Sequence, residues 1–175
     1  MAQIDDFKAN LIGGGARANQ YRVTITPPPG IAIGLDVRRT SFLVTASQLP
    51  ASTLGEIPVP FRGRNLYIAG DRTIDTWSTT ILNDTDFAIR NAFERWMNEI
   101  NAMSDNSGLE NPSDYMVDGF VDHLDRAGQV IKSYTFRGMW PLTIAPIELT
   151  AAEAGEIESF EITYRYQFFE TNTTT

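Results

Sequence analysis

The chain has 175 residues, of which 42% are hydrophobic and 11% aromatic, enough for one folding unit with a sizeable core and too many for a disordered chain. Cysteine is absent and His123 is the single histidine, which excludes disulfides, thiolate chemistry and a multi-histidine metal site. Fourteen basic against twenty-two acidic residues leave a net charge of −8, so the molecule repels nucleic-acid phosphates and anionic membranes.

The N-terminus, Met1-Ala2-Gln3-Ile4-Asp5-Asp6, has neither the basic region nor the apolar run of a secretory signal, and no stretch approaches the ~18 apolar residues of a membrane span. A protein folded in a cytoplasm, without membrane binding, is expected. One domain should span residues 1–175, with 1–19 as a flexible polar arm. Within that arm Gly13-Gly14-Gly15 has no preceding strand and no following Gly-Lys-Ser/Thr, so it reads as a hinge and not as a phosphate loop. From Gln20 to Thr26, Tyr21, Val23 and Ile25 alternate with Arg22 and Thr24, the period of a half-buried strand, and Pro27-Pro28-Pro29-Gly30 stops it. Residues 41–46 read as a second strand that ends near Pro50. Asn65–Ala69 and Thr73–Leu82 read as two more strands around a tight turn at Gly70-Asp71.

One helix follows, because Ile89, Ala92, Phe93, Trp96, Met97 and Ile100 recur on a single helical face. Asn83 or Asp84 can cap it, and Asp84 and Asp86 favour its positive end. The same acids lack the glycine and the alternating ligands of a calcium loop. Residues 101–114 are polar and rich in breakers, a long surface loop. Met116–Leu124 and Val130–Trp140 read as a hairpin around Asp125-Arg126-Ala127-Gly128, closed by Pro141. In the last strand Phe160, Ile162, Tyr164, Tyr166 and Phe168 share one face and Ser159, Glu161, Thr163, Arg165 and Gln167 the other. Residues 170–175 should form a loose tail.

Many strands, one main helix and no alternation of strand and helix predict a mainly β protein, an antiparallel barrel or sandwich with a helix packed against it. Such a sheet has edges that must be covered, blocked or joined to a neighbour. The charge is unevenly spread: residues 1–75 hold eight basic and six acidic groups, net +2, and residues 76–175 hold six basic and sixteen acidic, net −10. Opposite-signed halves invite head-to-tail association where they form separate faces. Twelve of the fourteen basic residues are arginine, the basic type favoured at interfaces.

Catalytic chemistry finds no foothold. In Asp122-His123-Leu124-Asp125 the strand sends His123 and Asp122 to opposite faces. Asp71 and Asp75 lie beside Arg72, where local hydrogen bonds or an interface ion pair explain them better than acid–base work. Tyr164, Tyr166, Phe168 and Trp140 suit a core better than a sugar platform. No catalytic residue, cofactor or metal is expected.

Between Leu49 and Asp84 the blocks Ile57-Pro58-Val59-Pro60-Phe61-Arg62, Ala69-Gly70-Asp71-Arg72-Thr73-Ile74-Asp75-Thr76-Trp77 and Asn83-Asp84 occur in an order that resembles the tail tube proteins of contractile-tailed bacteriophages. Thr45-Ala46-Ser47-Gln48-Leu49-Pro50, Arg137-Gly138-Met139-Trp140-Pro141 and Ile157–Phe169 extend the resemblance, whereas the Gly-rich arm, residues 27–39, the 101–114 loop and the Thr-rich tail depart from it. The resemblance implies the phage tail tube fold and a structural virion protein, not an enzyme. It implies six-membered rings whose strands join into an inner barrel and which stack into a hollow tube. The partners it implies are the tail sheath, the baseplate with its tube initiator, the tail terminator, and DNA passing through the lumen without specific binding.

Six copies would carry a formal −48, and any lumenal share of that charge would repel passing phosphates. Interface and lumen candidates are Arg62, Arg64, Asp71, Arg72, Asp75 and Glu56 in the matched region, and Glu158 and Glu161 near the end. The alternatives within the resemblance are a tube initiator of the baseplate, a terminator, or the inner tube of a type VI-like injection system. Outside it stands a monomeric β-sandwich that binds carbohydrate through its aromatic residues.

Overall fold

The computed structural model describes residues 4–11, 13, 15–150 and 155–174. In chain order the elements are α1 (Ile4–Asn10), β1 (Tyr21–Ile25), α2 (Val37–Leu43), β2 (Val44–Ser47), β3 (Thr53–Phe61), β4 (Arg64–Thr73), β5 (Trp77–Leu82), α3 (Ala88–Ile100), α4 (Pro112–Tyr115), β6 (Val117–Leu124), β7 (Val130–Ile144), β8 (Ser159–Arg165) and β9 (Phe168–Thr171). The expected mainly β architecture with one main helix is what the chain adopts. Seven strands run β1-β6-β7-β8-β5-β2 with β9 also on β7, every pair antiparallel, and β3 and β4 form a separate two-stranded hairpin. The path ends at β1 and β2, so the sheet does not close into a barrel.

β7 is the spine. Its first half pairs with β6 and β9 and its second half with β8, so one strand passes from one part of the sheet to the other. Between the two halves lies Gly138, whose φ of 59° suits glycine, and a side chain there would meet Gln167 at 2.9 Å. Pro141 therefore does not end the strand: it lies buried within β7, where the pairing with β8 shifts register between Pro141 and Thr143.

The core lies between this sheet and α3, whose Ile89, Ala92, Phe93 and Trp96 are buried as their spacing predicts. Trp77 of β5 stacks on Phe136 of β7 with ring centroids 4.4 Å apart and lies 5.0 Å from Tyr164 of β8. Phe93 meets Tyr164 edge-on at 6.0 Å, joining helix to sheet. Burial raises the ionisation range of the Tyr164 hydroxyl, which lies 3.3 Å from Thr79 Oγ1.

Several expectations are corrected. Residues 41–43 belong to α2, because the Asp36 carboxylate accepts the Arg39 N–H at 3.0 Å as an N-cap and Thr40 is buried; only 44–47 are strand. α3 starts at Ala88, after Phe87 with φ 53°, and its N-cap residue makes no side-chain cap bond. Asp86 Oδ1 accepts the N–H of Ala88 at 3.1 Å, as expected of an acid at the helix start, and Asp84 and Asp86 also hold Arg39: Nη2 donates to Asp84 at 2.5 Å and Nη1 to Asp86 at 2.7 Å, which fastens α2 to the entry of α3. Gly70-Asp71 is no turn and lies inside β4. The final strand breaks at Tyr166-Gln167, and Phe168 is exposed. Tyr164 and Tyr166 are core, as expected.

The arm carries the helix α1, no side chain of which is buried. Of the expected hinge, Gly13 and Gly15 have positive φ, and Gly14 lies outside the described residues. The 101–114 loop ends in α4 and is pinned by Ala102 N–H to Ser107 O at 2.7 Å and Leu109 N–H to Glu99 O at 3.1 Å. The tail is tied down through Thr174: Glu170 pairs with Arg137 at 2.8 Å and Thr171 Oγ1 lies 2.9 Å from Thr173 Oγ1.

The Arg39 clamp gives a pH prediction. Hydrogen bonds from Arg39 hold Asp84 and Asp86 below the usual carboxylate range, and backbone N–H groups add to this. Carboxyls depressed in the folded state contribute stability above their unfolded pKa of about 4, and lose it as the pH falls through the folded value. Arg39→Ala should therefore lower the melting temperature at pH 7, and the gap to the parent chain should close below about pH 4. Melting curves recorded across pH check this, and a gap that persists at low pH contradicts it.

Candidate assembly surface

The β3–β4 hairpin stands apart from the core. The turn between its strands is the pair Arg62-Gly63, with φ of 46° and 81°, both left-handed as a type I′ hairpin turn requires. The register runs Phe61↔Arg64, Pro60↔Asn65, Val59↔Leu66, Pro58↔Tyr67, Ile57↔Ile68 and Glu56↔Ala69, then shifts between Leu54 and Glu56. At that bulge Gly55 and Gly70 let the strands close up: a side chain at Gly70 would lie 3.1 Å from Ile57 and 3.3 Å from the Gly55 carbonyl.

Opposite residues share a face of the pair, so Ile57, Val59, Phe61, Leu66 and Ile68 lie together. Glu56, Pro58, Pro60, Asn65 and Tyr67 form the other face. The apolar face is bare: Phe61 is 66% exposed, Leu66 60%, Ile57 52%, Ile68 50% and Val59 38%. No residue of β3 or β4 is buried, and neither strand pairs with the seven-stranded sheet. A face of this kind on a small protein marks a binding surface.

The structure gathers most of the predicted charged residues on this arm. Arg62 lies in the turn with its guanidinium 5.3 Å from the Phe61 ring, Arg64 opens β4, Glu56 is in β3, and Asp71 and Arg72 lie near the root of β4. Asp75 follows in the link to β5, where its charge raises the ionisation range of the Tyr166 hydroxyl, second to burial. Glu158 and Glu161 are elsewhere. Glu158 accepts from Asn83 Nδ2 at 3.1 Å, and Glu161 is exposed on β8 opposite Thr80. Glu158 also lines an open groove of about 710 Å³ with Glu148 and Glu156, between residues 145–150 and 156–159. The hairpin, residues 53–73, carries three arginines against two acids, net +1, which leaves −9 on the remainder.

The apolar face itself was not among the expected site residues. Its signal is present in the alternation Ile57, Val59, Phe61, which the intervening Pro58 and Pro60, unable to donate to a ladder, obscure. Among the described residues no group of three or more His, Asp or Glu could hold a metal, and no helix is long and apolar enough to cross a membrane.

The profile of the phage tail tube protein family matches residues 16–172. The chain is 31% identical over 168 residues to the tail tube protein of Serratia phage KSP90, covering 95% of each chain. It is 30% identical over 169 residues to the tail tube protein gp19 of Enterobacteria phage T4, covering 95% of this chain and 99% of that one. Among solved structures, the tube terminating cap of the anti-feeding prophage has the same fold, with a TM-score of 0.65 at 15% identity over 90% of this chain and 91% of that chain.

Proposed function

The chain belongs to the phage tail tube protein family, and on that premise we propose that it is the repeating subunit of a contractile-tail tube, assembling as stacked six-membered rings around a channel for DNA. The observation that carries the reading is the detached hairpin, with five exposed apolar side chains on one face and no strand of the seven-stranded sheet paired to it among the described residues. Covering what remains exposed of each side chain contributes about 1 kcal/mol, so one such contact supplies about 5 kcal/mol before the cost of association. A face on one part of the molecule that fits a different part of the next copy is a head-to-tail contact, which closes into rings and stacks without limit along an axis.

Charge supports the same reading. The net-positive hairpin, with Arg62 and Arg64 at its tip, faces an otherwise acidic body, so a neighbouring copy attracts it. Arg62, Arg64, Asp71, Arg72 and Asp75 are the ring-contact residues of this proposal. Glu56, Glu158 and Glu161 are its lumen candidates. With the apolar face covered, Glu56 on the opposite face stays in solvent, where a negative wall lets DNA slide past without salt-dependent contacts. The sheath, the baseplate with its initiator and the terminator are the further partners.

Negative-stain electron microscopy of the purified protein at high concentration, with and without tail baseplates as seeds, tests the proposal. Hollow tubes or six-fold rings are expected. A chain that stays monomeric even with seeds overturns it.

A further inference from the structure

We infer that neighbouring copies join to this hairpin by strand addition along the outer edge of β4 and not along β3, because Pro58 and Pro60 strip the donors from the outer edge of β3. The inference rests on the tube reading above and adds to it the edge through which a second copy engages.

In an antiparallel pair, residues alternate between positions that exchange both backbone hydrogen bonds and positions whose N–H and C=O point away from the partner strand. Proline has no N–H, so Pro58 and Pro60 cannot occupy the exchanging positions. The two-residue turn agrees, since it makes Phe61↔Arg64 the closing exchanged pair and leaves Pro60↔Asn65 and Pro58↔Tyr67 as the pairs that face outward. Two consecutive outward positions of β3 therefore offer an arriving strand no donor. Their partners on β4, Asn65 and Tyr67, together with Ala69 opposite Glu56, turn complete N–H and C=O pairs outward.

The hairpin is thus one-sided. Its β3 edge is blocked in the way natural sheets block an edge against uncontrolled pairing, and its β4 edge is open. The occupant is a second copy of this chain. The hairpin carries net +1 and the rest of the molecule −9, and the bare apolar face runs beside the open edge, so strand addition and apolar burial occur in one docking event. A single open edge on the hairpin also gives this contact a direction, which a ring of identical copies needs in order to close.

Tyr67→Pro removes one outward donor and leaves the internal ladder whole, at the position directly opposite Pro58, which the hairpin already accommodates as proline. Tyr67→Thr loses the same aromatic ring and keeps the N–H. Under conditions in which the parent chain forms tubes, Tyr67→Thr should form them and Tyr67→Pro should not, with both variants melting like the parent subunit. Hydrogen–deuterium exchange on the parent protein gives a second readout: the Asn65 and Tyr67 amides should exchange freely in the subunit and at least 100-fold more slowly in the tube. Tubes formed by Tyr67→Pro, or equal exchange at both amides in tube and subunit, overturn the inference while the tube reading stands. A parent chain that never assembles overturns the tube reading itself.

Discussion

Exchanging Val59 for lysine and Leu66 for glutamate should give a folded subunit that no longer builds tubes. The two residues are directly opposite each other on the bare face of the hairpin. As a cross-strand pair of opposite charge they keep the hairpin ladder supported, while the apolar patch is split at its centre. Both native side chains are already solvated in the free chain, and surface changes of this kind usually cost within about 0.5 kcal/mol. With two such changes the melting temperature of the subunit should therefore move by no more than about 3 °C. Assembly responds differently, because two charges must now be desolvated where about 2 kcal/mol of burial was gained. Since each 1.4 kcal/mol is a factor of ten, the critical concentration for tube growth should rise by at least about 30-fold. Sedimentation across a concentration series measures it. An unchanged critical concentration would remove the hairpin from the assembly surface.

The contrast between those two responses explains which parts of the structure were legible in the sequence. β1, α3, β6 and β8 bury one face within their own subunit, so their buried residues recur every two or every 3.6 positions and the period reports the element. β3 buries nothing within its subunit, and what proline means there depends on which edge it occupies. That is a property of the pairing and not of the local sequence. Gly70-Asp71 misled for a similar reason. Glycine followed by aspartate marks a turn when read locally, yet here Gly70 closes up against Gly55 across a bulge, and the real turn is Arg62-Gly63.

α2 was missed because seven residues are too short to show a helical period, and its decisive feature is the bond from the Asp36 carboxylate to the Arg39 amide. The charged residues of the candidate surface could be named from the resemblance. Their gathering on one detached arm, beside an apolar face, could not, because that needs the register.

The largest expected loss of stability lies in the core that holds the arm in place. Trp77 begins β5, with three residues between it and the end of β4, so the chain leaves the hairpin and enters the core almost at once. Its ring stacks on Phe136 and tilts against Tyr164, and its indole N–H donates to the Gln48 carbonyl at 2.9 Å, between β2 and β3. The residue therefore ties both ends of the hairpin to the sheet, the start through Gln48 and the end through its own backbone. Trp77→Ala leaves a cavity and an unpaired carbonyl, at a cost of about 3–5 kcal/mol. For a chain of this length that lowers the melting temperature by roughly 8–15 °C. Trp77→Phe keeps most of the stacking and loses the donated bond, about 1–2 kcal/mol, so it should fall between the alanine variant and the parent. Thermal unfolding followed by tryptophan-independent far-ultraviolet circular dichroism measures both. Should Trp77→Phe be as unstable as Trp77→Ala, the bond to Gln48 and not the stacked ring dominates at this position, and the root of the arm is held chiefly through its β3 side.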